Sequence, residues 1–191
     1  MDEVKQPRLT SSKLSSLTTN LATVRIKHGW LVILAVLLQR MPFSLSDPSS
    51  FVELKKALLV ISYVLLVWVL SRNLHLWSIR LLFVGSLLNF AAIVANGGFM
   101  PVSPEARLQA GMTDLGQAAL GMVLPEGTGV LLAVDQTNLW FLSDIIPVSA
   151  VGGVFSPGDV VIGVGLLIFL VEVACLDGAH LGRAIHLSPL W

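Results

Sequence analysis

Three polar side chains mark the places where this chain could do chemistry: Asn96, Asp144 and Asp159. Asp144 is embedded in the apolar run Leu139-Trp-Phe-Leu-Ser-Asp-Ile-Ile-Pro147. An acid between Leu142 and Ile145 either projects to water or needs a partner, because burying a lone carboxylate is costly. Asn96 closes a long hydrophobic segment, where its amide can cap the last helical carbonyls or face a ligand. Asp159 stands three residues after Ser156 in Ser-Pro-Gly-Asp, the spacing of a capping box, and would favour the positive end of the helix it opens. These three form the candidate ligand or functional cluster. A fourth acid, Glu172, lies near the end of an apolar segment, where it either snorkels to the interface or serves as an intramembrane ionisable group.

Signatures of catalysis are missing from the sequence. There is no G-x-S-x-G, no phosphate-binding G-x-x-x-x-G-K, no H-E-x-x-H and no cysteine pair. The single cysteine, Cys175, excludes an internal disulfide and a cysteine-based metal cluster. The four histidines are scattered near helix ends. No catalytic residue, metal or cofactor is therefore expected.

The elements that must position the cluster are set by hydrophobicity. Of 191 residues 54% are hydrophobic and only 13% charged, with a mean hydropathy of +0.81. Soluble domains carry about 25% charged residues, so this chain is expected to use lipid as its solvent. Twelve basic and twelve acidic residues cancel, which gives no field for nucleic acid. The predicted fold is an all-α integral membrane protein with three or four transmembrane helices, over about 29–45, 54–71, 76–95 and 157–176. Residues 1–28, with Leu14, Leu17, Leu21 and Val24 at helical spacing, predict an amphipathic interfacial helix and no cleavable leader. Residues 177–191 form a cytoplasmic tail.

The first of these spans is short. Trp30 to Leu38 is a nine-residue apolar run that reaches Leu45 only across Gln39, Arg40 and Pro42. Ser50 and Glu53 have capping-box spacing for the second, with Lys55 and Lys56 snorkelling at its entrance. The third carries Gly85, Ser86 and Asn89, which let a neighbouring helix approach and offer it a hydrogen bond. Between the third and fourth spans, 96–156 holds short apolar pieces separated by Gly and Pro. It is expected to be extracytoplasmic or re-entrant, with short helices, one of them started by Ser103-Pro104-Glu105 and stopped at Gly111.

Orientation follows from two patterns. With four spans, eight basic residues fall on the side of the amino terminus and four on the other, which places the amino terminus in the cytoplasm. Trp30, Trp68 and Trp77 all fall at that same interface, as an aromatic belt requires.

Three motifs occur in order: N-G-G-F-M-P-V-S at 96–103, T-N-L-W-F-L-S-D-I-I-P at 137–147 and F-S-P-G-D-V-V-I at 155–162. In these the chain resembles the family of uncharacterised bacterial membrane proteins catalogued as domain of unknown function 5317, over roughly residues 28 to 175. The resemblance implies a multi-pass protein of the bacterial cytoplasmic (inner) membrane, and no activity, cofactor or catalytic residue. Members often begin with an additional hydrophobic helix, where this chain has its polar Ser/Thr/Lys segment.

The expected function is that of a non-catalytic membrane component, an accessory or assembly subunit whose partners are the lipid bilayer and other membrane-protein subunits. The alternative is a small transporter or an enzyme for a lipid-linked substrate, with an outer-face site built from Asn96, Asp144 and Asp159.

Overall fold

The computed structural model describes residues 26–40, 49–112, 120–124 and 128–175. The interfacial helix expected before residue 26, the link from 41 to 48 and the tail after 175 lie outside the described residues.

The chain is mostly helical. Helix α1 runs over Trp30–Gln39, α2 over Ser49–Ser71, α3 over Trp77–Ala95, the short α4 over Pro104–Gln109 and α5 over Pro157–Cys175. Two stretches, Phe51–Ser71 in α2 and Trp77–Ala95 in α3, are long and apolar enough to cross a membrane. At 1.5 Å per residue they extend about 31 and 28 Å, close to the roughly 30 Å of a hydrocarbon core. Helix α1 has ten residues, about half that depth.

Helix α3 is the centre of the bundle, with α5 packed along one side and α2 on another. Its contact with α5 is close because glycines line it. A β-carbon on Gly158 would lie 1.9 Å from Asn89 Oδ1, and one on Gly85 would lie 2.6 Å from the Gly158 carbonyl. Small residues thus let the two backbones meet, as the sequence of α3 suggested. At the opposite end of this contact, Ser78 donates to the Glu172 carboxylate at 2.5 Å. The α2–α3 turn is fastened by buried Asn73, which donates to the carbonyls of Lys27 and Val69 and accepts from the Lys27 N–H.

Aromatic side chains gather at that end. Trp30 and Trp77 are 64% and 69% exposed, Arg80 lies 4.4 Å over the Trp77 ring, and His28 rests on Trp68.

Two expectations need correction. Lys55 does not snorkel outward: it is buried, and its ammonium donates 3.0 Å to the Gln39 carbonyl at the end of α1. An unsatisfied carbonyl at a helix terminus is a good partner for a cation, which explains why Lys55 turns in. Lys56, its neighbour, pairs outside with Glu53 at 2.6 Å.

The second correction concerns 96–156, which is not simply a set of short helices. Its described residues hold four three-residue strands: β1 (Met100–Val102) parallel to β2 (Gly129–Leu131), and β3 (Ile146–Val148) antiparallel to β4 (Gly153–Phe155). Three 3-10 turns, at Val134–Gln136, Trp140–Leu142 and Ser149–Val151, connect them. The apolar pieces are too brief for helices and rich in β-branched residues, so pairing strands is how their backbone groups find partners. The one expected helix is present: Ser103 caps α4 by accepting from the Ala106 N–H, and Gly111 beyond its end has a φ of +81°. This strand-and-turn unit closes one end of the bundle, where Phe99, Met100 and Val130 pack on Leu59, Ala92 and Ile93.

Candidate functional site

The amino terminus of α5 shows how local sequence builds the site. Ser156 Oγ accepts from the Asp159 N–H at 3.0 Å, and Asp159 Oδ2 accepts from the Ser156 N–H at 3.0 Å. This is the reciprocal capping box expected from the Ser-Pro-Gly-Asp spacing. Helix α3 adds to it. Asn89 donates to Asp159 Oδ1 at 2.7 Å and accepts from the Ser156 hydroxyl at 2.8 Å. The amide is thereby oriented, since the reverse orientation would set its oxygen against a carboxylate. Both Asp159 oxygens now have donors, one from the backbone and one from a side chain.

Asp144 is held differently. Its backbone is stitched to β1: the Asp144 N–H donates to the Pro101 carbonyl at 2.9 Å, and the Asp144 carbonyl accepts from the Ser103 N–H at 3.0 Å. The residue thus becomes a third short rung beside β1 and β2. Its side-chain Oδ1 is buried and accepts no hydrogen bond. Burial, and then the negative charge of Asp159 nearby, push the Asp144 carboxyl up to about 8. At neutral pH it therefore carries its proton.

Between these acids lies a cavity of about 240 Å³. Tyr63 and Leu59 of α2, Asn89 and Ile93 of α3, Met100 of β1, Asp144 and Asp159 form its walls, with Gln39, Arg40 and Thr128 around them. A second cavity of about 440 Å³ continues on the far side of Asp144, sharing Arg40, Thr128 and Asp144 and reaching Arg107 and Phe155. Asp144 stands between the two. Polar groups converge on the first cavity against apolar walls, which is the usual make-up of a ligand pocket, at the small end of the size range.

The structure brings together two of the three sequence candidates, Asp144 and Asp159. Asn96 is elsewhere. Its amide donates 2.8 Å to the Ala92 carbonyl and 2.8 Å to that of Asn138, and its oxygen accepts from the Asn138 N–H at 2.9 Å. Asn96 therefore ends α3 and clasps the loop before the second 3-10 turn. Gly97 and Gly98, at φ of +76° and +100°, complete the stop, with the Gly98 N–H returning to the Ile93 carbonyl. Glu172 lies at the other end of the bundle on Ser78, apart from the cavity. Among the described residues, no three His, Cys, Asp or Glu side chains converge as a metal site.

Tyr63, Arg40, Thr128 and Ser156 line or support the site without having been singled out as functional. Tyr63 had a signal: it is the chain's single tyrosine, placed inside an otherwise apolar segment. Asn89 was legible as a polar contact between helices and not as a wall of a cavity.

Residues 23–171 match the model of the family described as family of unknown function, DUF5317, and the chain belongs to that family. No curated protein and no solved structure matches it.

Proposed function

We propose that this chain is a multi-pass protein of the bacterial cytoplasmic membrane, with its amino terminus in the cytoplasm, and that it binds a small polar ligand at the outer face. Helices α1, α2, α3 and α5 act as the spans in this reading. Three observations support the placement: the excess of basic residues on one side, the tryptophans Trp30, Trp68 and Trp77 at one end, and two helices of spanning length.

One observation carries the functional part. Asp144 keeps a buried carboxyl oxygen without a hydrogen-bond partner, and the residue lines a cavity together with Asp159, Asn89 and Tyr63. A polar atom buried without a partner costs about 1–3 kcal/mol, an expense that a scaffold has no reason to keep and a binding site does. This favours a small transporter or ligand-binding protein over a purely architectural subunit. The apolar outer faces of α1 and α5 suit lipid as well as a partner helix, so they do not favour the subunit reading.

The test is a thermal-shift screen of the detergent-purified protein against small cationic, anionic and neutral polar compounds, repeated on Asp144→Asn. At least one compound is expected to raise the melting temperature of the wild type and not of the variant. If every shift is identical in the two proteins, the cavity is not a ligand site.

A further inference from the structure

The two acids on the cavity are not equivalent, and the difference names a ligand class. Asp159 is a finished group: Asn89 donates to one oxygen and the Ser156 N–H to the other, and the positive end of α5 lies behind it. It has no reason to change its charge or its partners when a ligand arrives. Asp144 is unfinished, because Oδ1 is buried and has no hydrogen-bond partner, in a residue that lines the cavity. The one vacant acceptor of the pair is therefore also the one whose carboxyl is held up to about 8 by burial and by Asp159.

We propose that the cavity binds one primary ammonium group in exchange for the proton of Asp144. The step is Asp144–COOH plus R–NH₃⁺ giving Asp144–COO⁻ paired with R–NH₃⁺, with one proton released to water. No bond other than O–H breaks, and the charge of the site is conserved. This rests on the cavity being a ligand site, and adds what it takes and what it gives up.

The surroundings fit an amine better than a bare ion. Tyr63 and Thr128 line the same cavity as Asp144, and a hydroxyl can accept from an ammonium with three N–H donors. Leu59, Ile93 and Met100 supply an apolar wall for a short alkyl stem. A volume of about 240 Å³ limits that stem to a few carbons. Among the described residues, the charged and titratable groups around Asp144 are Asp159 from α5, Tyr63 from α2, Arg40 beyond α1 and, across the second cavity, Arg107 from α4. Lys55 donates to the carbonyl of Gln39, which also lines the cavity. Arg40 is exposed.

An ammonium can reach this place from water or as the headgroup of a lipid such as phosphatidylethanolamine, and the experiment separates the two. Ethylamine is titrated into the full chain in phosphatidylcholine nanodiscs, in weak buffer with a pH-indicator dye, and binding is followed by calorimetry. About one proton released per bound ethylamine is expected at pH 6.5. The apparent affinity should rise about tenfold per pH unit up to pH 8, where proton release fades. Asp144→Asn, nearly isosteric with the protonated acid, should abolish release and the pH slope. Thr128→Val should weaken binding several-fold and keep the release. In nanodiscs rich in phosphatidylethanolamine, ethylamine should bind unchanged if the natural ligand is a free amine, and be blocked if it is the headgroup.

Ethylamine that binds without releasing a proton, binds equally well to Asp144→Asn, or fails to bind in phosphatidylcholine overturns the proposal. If another compound still shifts the melting temperature in an Asp144-dependent manner, the cavity survives as a ligand site and only the ammonium assignment falls.

Discussion

The contact between α3 and α5 can be broken with one methyl group. In Gly158→Ala, the new carbon would lie 1.9 Å from Asn89 Oδ1, 2.7 Å from Asn89 Cγ and 2.8 Å from the Gly85 carbonyl. Ordinary contact between carbon and its neighbours begins near 3.5 Å, so something must yield. If Asn89 swings away, it gives up a hydrogen bond to a carboxylate, about 1.5–3 kcal/mol, and one to the Ser156 hydroxyl, about 1 kcal/mol. If instead the helices separate by an ångström, their packed atoms lose a quarter to a half of their attraction, with a similar total. Alanine is the better helix former by about 1 kcal/mol, which offsets part of this loss. The expected net loss is about 1.5–3 kcal/mol.

Gly163 supplies an internal control on the same helix. A β-carbon there meets nothing within 4 Å, so Gly163→Ala should gain up to about 1 kcal/mol from propensity alone. Thermal unfolding of both variants in one detergent should separate them by about 3 kcal/mol, or roughly 6–12 °C for a chain of this size. Equal melting temperatures would refute the claim that these helices touch through Gly158. The same experiment would test whether Asn89 belongs to the contact, since Asn89→Ala should largely erase the difference.

Other outcomes can be checked in parallel. The folded pKa of Asp144 lies above its ordinary value of 3.8, so the folded state holds the proton more tightly than the unfolded chain. The stability this supplies is complete below about pH 4 and is lost as pH rises to about 8; Asp144→Asn should flatten that slope in urea or thermal titrations and leave the protein no less stable at pH 8. Asn73→Ala removes two donors and one acceptor at the α2–α3 turn, and should cost about 1–3 kcal/mol in denaturant unfolding. Single-tryptophan variants retaining Trp30, Trp68 or Trp77 should be quenched by brominated lipid at one common depth, whereas a variant retaining Trp140 should report the opposite leaflet.

Much of the framework could be read from the sequence because long apolar helices are written in local signals. Apolar run length set α2 and α3, and Ser156-Pro-Gly-Asp set the first turn of α5 with its reciprocal bonds. Gly85 and Asn89 announced a close helix contact, though not that Gly158 and Ser156 would be the partners. The strand unit was hidden because its pairings are non-local. Met100 meets Gly129 across a segment that carries no periodicity, and Asp144 joins β1 from more than forty residues away. For the same reason Asn96 looked like a neighbour of the acids. Position in the chain suggested it, while the hydrogen bonds to Asn138 hold it at the closing loop.

The cluster that fastens α5 to α3 also bears on Asp144, second to burial. Asn89 and Ser156 hold Asp159 in place by hydrogen bonds, and Asp159 in turn raises the cost of a second negative charge beside it. Loosening the helix contact should therefore do more than lower stability. An Asn89 that swings away releases one donor from Asp159 and lets its carboxylate turn toward water, which weakens the repulsion felt by Asp144. Gly158→Ala and Asn89→Ala are then expected to move the acidic slope of the stability curve to lower pH, although neither substitution touches Asp144. A slope unchanged in both variants would leave burial alone as the cause of the raised Asp144 carboxyl, and would reduce Asp159 to a helix cap.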